Sequence, residues 1–152
     1  MTAYDILLVL HNLVRWLVLI AGILAAVRAI VGWIGSRAWG ATDRQLGLLF
    51  TISLDIQVLI GLLLYFIFSP WTTPFFSDFG AAMGNDQARF FLVEHSALML
   101  VALALAHVGR AQSKKATPDL NKHKRAAIFF TLAMIAILLA IPWNLSPLLR
   151  LG

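Results

Sequence analysis

Six ionisable side chains lie inside long apolar stretches of this chain: His11, Arg15, Asp55, Glu94, His95 and His107, with Gln57 as a neutral companion. An imidazole can bind a metal, pass a proton or hydrogen-bond between helices, and each charged group in an apolar setting calls for a partner or a role. The chain has no cysteine, which removes disulfides, thiolate metal sites and iron–sulfur ligation. Any metal would rest on histidine, carboxylate or methionine. No nucleophile with an adjacent base, glycine-rich phosphate loop or metalloprotease helix motif occurs, so hydrolytic catalysis is unsupported.

The elements that position these groups follow from composition. Of 152 residues, 61% are hydrophobic and 12% charged, with mean hydropathy +0.85. A soluble domain is roughly half apolar and about a quarter charged, so one water-soluble core cannot absorb this surplus. Crossing a bilayer core about 30 Å thick takes roughly 20 apolar helical residues. Four such runs occur, at about 6–33, 46–68, 89–108 and 125–143. The expected fold is all-α, a single integral-membrane four-helix domain over 1–152 in up-down-up-down order. Pro70, Pro118 and Pro142 fall at or beyond span ends, where proline is tolerated. The first apolar run is too long for a signal-peptide core and has no positive leader, so it is expected to be retained.

Charge orients the spans. Arg28, Arg37 and Arg44 gather around the first connection, and Arg110, Lys114, Lys115, Lys122, Lys124 and Arg125 around the third. Only Arg89 and Arg150 fall on the other side. The positive-inside rule then puts both termini outside and the basic connections in the cytoplasm, in a cell's inner (cytoplasmic) membrane. This topology explains the net charge of +5 without invoking nucleic acid as a partner. The second connection carries Trp71, Phe75, Phe76 and Phe79. It reads as an interfacial aromatic segment, with a lid over a lipid-soluble ligand as the alternative.

Helical periodicity puts His11, Arg15, Gly22 and Ala26 on one stripe of the first span, and His95, Met99, Ala102, Ala106 and Gly109 on one face of the third. His11 lies about five residues, and His95 about six, inside the outer ends of their spans. Both imidazoles are therefore expected at one level. The first and third helices of such a bundle are diagonal, roughly 14 Å axis to axis, a gap that suits a haem held from both sides. A closed zinc site would want about four ligands, more than this level offers. The competing reading is that both histidines hydrogen-bond to Glu94, Gln57 or backbone carbonyls and hold helices together.

Other groups allow further expectations. His107 and His123 form a second, weaker candidate metal pair, although His123 in NKHKR suits a solvated charged loop. Arg15 and Asp55 lie at similar depth and could form an ion pair. Asp55 and Gln57, two positions apart, cannot both face the bundle centre. Arg15 or Arg89 could anchor haem propionates, and Arg15, Asp55 and Glu94 could move protons in quinol chemistry. The bland alternative for each is a structural ion pair.

With HNLVRW at 11–16, RFFLVEHSALML at 89–100, KHKRAAIFF at 122–130 and IPW at 141–143, the chain resembles the small bacterial four-helix membrane proteins described as cytochrome b-like. The resemblance spans nearly the whole length in the same order. It implies a non-covalent haem b with transmembrane histidine ligands; a second haem, between His107 and His123, is the weaker expectation from their positions alone. It also implies a part in respiratory or photosynthetic electron flow. It carries over best to His11 and His95, then to His107 and His123. The expected protein is an electron carrier or quinol-linked redox subunit rather than a stand-alone enzyme. Its expected partners are membrane lipid, the quinone pool, and a larger complex or further copies. A cofactor-free accessory subunit of a larger assembly is the rival.

Overall fold

The computed structural model describes residues 1–143; Arg150, counted above among the outer charges, lies outside them. Helix α1 (Ala3–Ile34) starts where Thr2 and Asp5 cap each other: the Asp5 N–H donates to the Thr2 hydroxyl, and the Thr2 N–H to the Asp5 carboxylate. Helix α2 (Ala41–Leu63) begins where the Asp43 carboxylate accepts the Gly40 N–H at 2.8 Å. It continues as a π-helical turn, Leu64–Phe68, and stops because Pro70 forces Ser69 into extended backbone. The connection holds a 3-10 turn, Thr73–Phe76, and the short helix α3 (Phe79–Met83) capped by Asp78. A third rod then runs through α4 (Asp86–Arg89), a second π-helical turn (Phe90–Glu94) and α5 (His95–Lys115). Helix α6 (Asp119–Ala140) lies between Pro118 and Pro142.

All four rods are long and apolar enough to cross a membrane. Three extend well past the apolar runs marked in the sequence: α2 starts at Ala41 instead of 46, the third rod covers Asp86–Lys115 instead of 89–108, and α6 starts at Asp119 instead of 125. Hydropathy marks only the part that suits lipid, whereas Lys, Arg and Gln at the ends are good helix formers and prolong the hydrogen-bond ladder.

Helix α1 packs on α2 and α6, and α5 packs closely on α6 and more loosely on α2, which leaves α1 and α5 diagonal. Small residues make this packing close: Ala21, Ala25 and Ala29 on α1 and Ala126, Ala133 and Ala140 on α6 are buried. The central large contact is Phe50 edge-on to Phe130, ring centroids 5.5 Å apart. Gly22 admits Phe50 and Met134 so closely that an added Cβ would lie 2.2 Å from the methionine sulfur. By contrast Leu59, Phe66 and Leu139 are more than 60% exposed. An interior of alanine and glycine under a coat of leucine and phenylalanine suits lipid, where close van der Waals packing holds helices together. The two basic connections meet at one end, where the Trp39 N–H donates to Asp119 at 3.0 Å and Arg28 pairs with Asp43 at 2.8 Å.

Candidate functional site

The stripes expected on the first and third spans face inward. Arg15, Gly22 and Ala26 are buried on α1, and Ala102, Ala106 and Gly109 on α5, with Met99 packed against the core. At the end opposite the basic connections these stripes bring His11 and His95 together, ring centroids 6.3 Å apart and planes inclined by 59°. Each ring is partly shielded. A small residue of a neighbouring helix approaches each: an added Cβ at Gly61 of α2 would stand 3.3 Å from His11 Cε1, and Ala140 closes α6 beside His95.

Helix ends explain the orientation of His95. Pro142 puts Ile141 into extended backbone and ends α6 at Ala140, freeing its carbonyl from the helical ladder. The His95 Nδ1–H donates to that carbonyl at 2.8 Å, which fixes the tautomer and leaves Nε2 as the unprotonated nitrogen. The π-helical turn immediately before His95 shifts the register of α5 relative to α4, and Phe90 and Phe91 flank the ring at 5.9 Å. A second π-helical turn ends α2 at the same end, and Tyr65 within it donates its hydroxyl to the Leu92 carbonyl at 3.0 Å. No proline, glycine or period change announces either turn. Tyr65 and the Ala140 carbonyl were therefore missed by reading the sequence.

Three buried polar atoms near this end have no hydrogen-bond partner among the described residues: His11 Nδ1, Arg15 Nε and Gln57 Oε1. Arg15 and Gln57 each lie one turn further into the helices than His11 and Gly61 respectively, so polar capacity continues inward from the histidine pair. Unmet buried polar groups are costly and unusual. His11 and His95 make no tight cage by themselves, since no group of three or more His, Cys, Asp or Glu residues gathers among the described residues. The described residues thus build no closed all-protein zinc site. Two imidazoles this close could supply two of the ligands of a metal whose others come from outside the described residues.

Several sequence expectations need correction. The Arg15–Asp55 ion pair does not form: Asp55 instead meets His107, Oδ1 to Nε2 at 2.7 Å, and the Arg15 guanidinium lies 6.0 Å from the Trp16 ring. Of Asp55 and Gln57, it is Gln57 that faces inward, because two helical positions separate them by about 160°. His123 is not in a solvated loop but fully buried in α6, edge-on to Trp39 at 4.8 Å and against Gly32, with neither ring nitrogen hydrogen-bonded. The extra helical turns before residue 125 carry it inside. His107 is thereby engaged with α2 and His123 with α1 and Trp39, and they share no ring contact among the described residues. Arg89 is taken by Asp86 and Glu94, each at 3.0 Å. In the aromatic connection Phe75 packs with Ala82, Ala88 and Leu92, Phe76 lies against Tyr65 and Phe66, and Phe79 is exposed.

The described residues form an all-helical protein with four helices long and apolar enough to cross a membrane. No family model, curated protein or solved structure matches the chain.

Proposed function

We propose that this protein is a membrane electron carrier that binds a b-type haem between His11 and His95. In this reading the chain is an up-down-up-down bundle of the cytoplasmic membrane with both termini outside, as the charge distribution favours. The observation that carries the proposal is the facing pair of imidazoles, 6.3 Å between centroids, with the His95 Nδ1–H tied to the Ala140 carbonyl. A second hydrogen bond of this kind is the usual means of orienting a ligating histidine. Gly61 lets α2 pass close to His11, and the Ala140 carbonyl lies against His95. Arg15, with Nε unbonded, is better placed than Arg89 to balance an acidic edge, because Arg89 already has two carboxylates.

A bound haem would supply reversible one-electron chemistry at iron. The chain's contribution is to hold both imidazoles, exclude water with Phe90 and Phe91, and keep the surroundings apolar. Quinol from the bilayer is the proposed donor, and a larger respiratory or photosynthetic complex the proposed partner. The same His95–Ala140 bond also fits a cofactor-free accessory subunit whose histidines only join helices.

A reduced-minus-oxidised visible spectrum of the purified protein separates the two. Sharp b-type bands, lost in His11→Ala and in His95→Ala, are expected. A colourless and fully folded wild type sinks the haem proposal and leaves the accessory reading.

A further inference from the structure

The basic end contains a cavity of about 170 Å³ between the start of α2 and the end of α5. Arg44 on the first turn of α2, and Arg110 and Lys114 one turn apart on α5, line it above an apolar floor of Gly47, Leu48 and Phe130. Four neighbouring cations at this end are engaged, Arg28 with Asp43, Lys122 with Asp119, Arg125 with Gln112, and Lys124 over the Trp33 ring, while Arg37 and Lys115 lie outside the cavity lining. Arg44, Arg110 and Lys114 converge without an ion pair or side-chain hydrogen bond among the described residues. The amino-terminal end of α2 adds its positive dipole at the same place. Three unneutralised cations around one hollow repel each other, and an anion relieves that repulsion.

The apolar floor identifies which anion. By the volume of liquid water, about 30 Å³ each, the space would take about six waters, so it suits a phosphate ester and not a whole lipid. From the floor residue Leu48, and Ile52 one turn on, an exposed apolar strip runs along α2, which packs on α5 more loosely than α6 does. A cationic hollow that opens onto an apolar seam matches a molecule with a phosphate head and hydrocarbon tails. We propose that this cavity binds the phosphate headgroup of an anionic phospholipid, whose acyl chains lie along the outer face of α2. This site is independent of the histidine pair and of any haem.

The test uses the full chain in nanodiscs of phosphatidylcholine with and without phosphatidylglycerol. Lipid retained after detergent extraction is counted by native mass spectrometry. Wild type is expected to keep one phosphatidylglycerol. The Arg44→Gln/Arg110→Gln/Lys114→Gln variant is expected to keep it roughly a hundredfold less well, the combined effect of three charges that each contribute a several-fold change near a membrane surface. An Arg37→Gln/Lys115→Gln/Lys124→Gln variant removes the same charge outside the cavity and is expected to behave as wild type. Equal loss in both variants would show only a general basic surface and overturn the site. Displacement of the lipid by millimolar inorganic phosphate would assign the hollow to free phosphate and overturn the lipid. Should the triple variant not fold in phosphatidylcholine alone, Lys114→Gln is read instead, and unchanged retention there also overturns the proposal.

Discussion

The molecule buries histidines at both ends, and the two ends use them differently. His123 at the basic end is enclosed completely, against Gly32 and Trp39, and its neighbours Arg28, Asp43, Asp119 and Lys122 neutralise one another. His11 and His95 at the other end are less enclosed, yet they face each other, and one is oriented by a backbone carbonyl. Depth of burial is therefore a poor guide to chemistry. Convergence of two donor groups with one of them pre-oriented is a better guide, because a ligand needs lone pairs aimed at one point.

The largest effect expected from this contrast is spectroscopic. If the proposed haem is bound between His11 and His95, His95→Ala should remove its b-type absorbance entirely, whereas His123→Phe should keep it; equal loss in both would place the cofactor elsewhere or erase the distinction between the ends. Next comes packing. A Cβ at Gly32 would stand 2.2 Å from the His123 ring, against 3.3 Å from His11 for a Cβ at Gly61. Gly32→Ala should therefore cost about 1–3 kcal/mol in reversible unfolding in detergent, and Gly61→Ala less than about 1 kcal/mol. The reverse order would contradict the tighter enclosure of His123.

Tyr65→Phe removes the hydroxyl that joins the two π-helical turns and should cost about 1 kcal/mol. If those turns position His95, the variant should also broaden or shift the absorbance bands, an effect that lost stability alone would not cause. The smallest effect is expected between the ends, at the half-exposed Asp55–His107 pair. A double-mutant cycle with Asp55→Asn and His107→Phe should give a coupling near 0.6 kcal/mol, about the mean for hydrogen bonds within membranes. A value several-fold larger would mark this pair, too, as more than helix packing.

Much of the architecture was legible in the residues. The apolar runs located all four rods, the prolines their ends, and the period of about 3.6 residues the inward stripes bearing His11 and His95. Charge pairing was less legible. Arg15 and Asp55 matched in depth, but depth along a rod says nothing about rotation around it, and Asp55 turned toward His107. His123 was misjudged because its charged neighbours mask a helix that begins six residues before the apolar run.

Composition and periodicity by themselves determined that the chain forms four helices long and apolar enough to cross a membrane and which face of the first and third turns inward, since those properties follow from local hydrogen bonding and from the cost of exposing polar groups to lipid. Tertiary structure alone decided which inward groups meet. The π-helical turns reset helix register, Pro142 releases the Ala140 carbonyl only at the place where α6 passes His95, and Gly32 admits the His123 ring only because α1 and α6 lie so close. Each of these depends on how one helix is rotated and shifted against another, a relation that no single segment encodes.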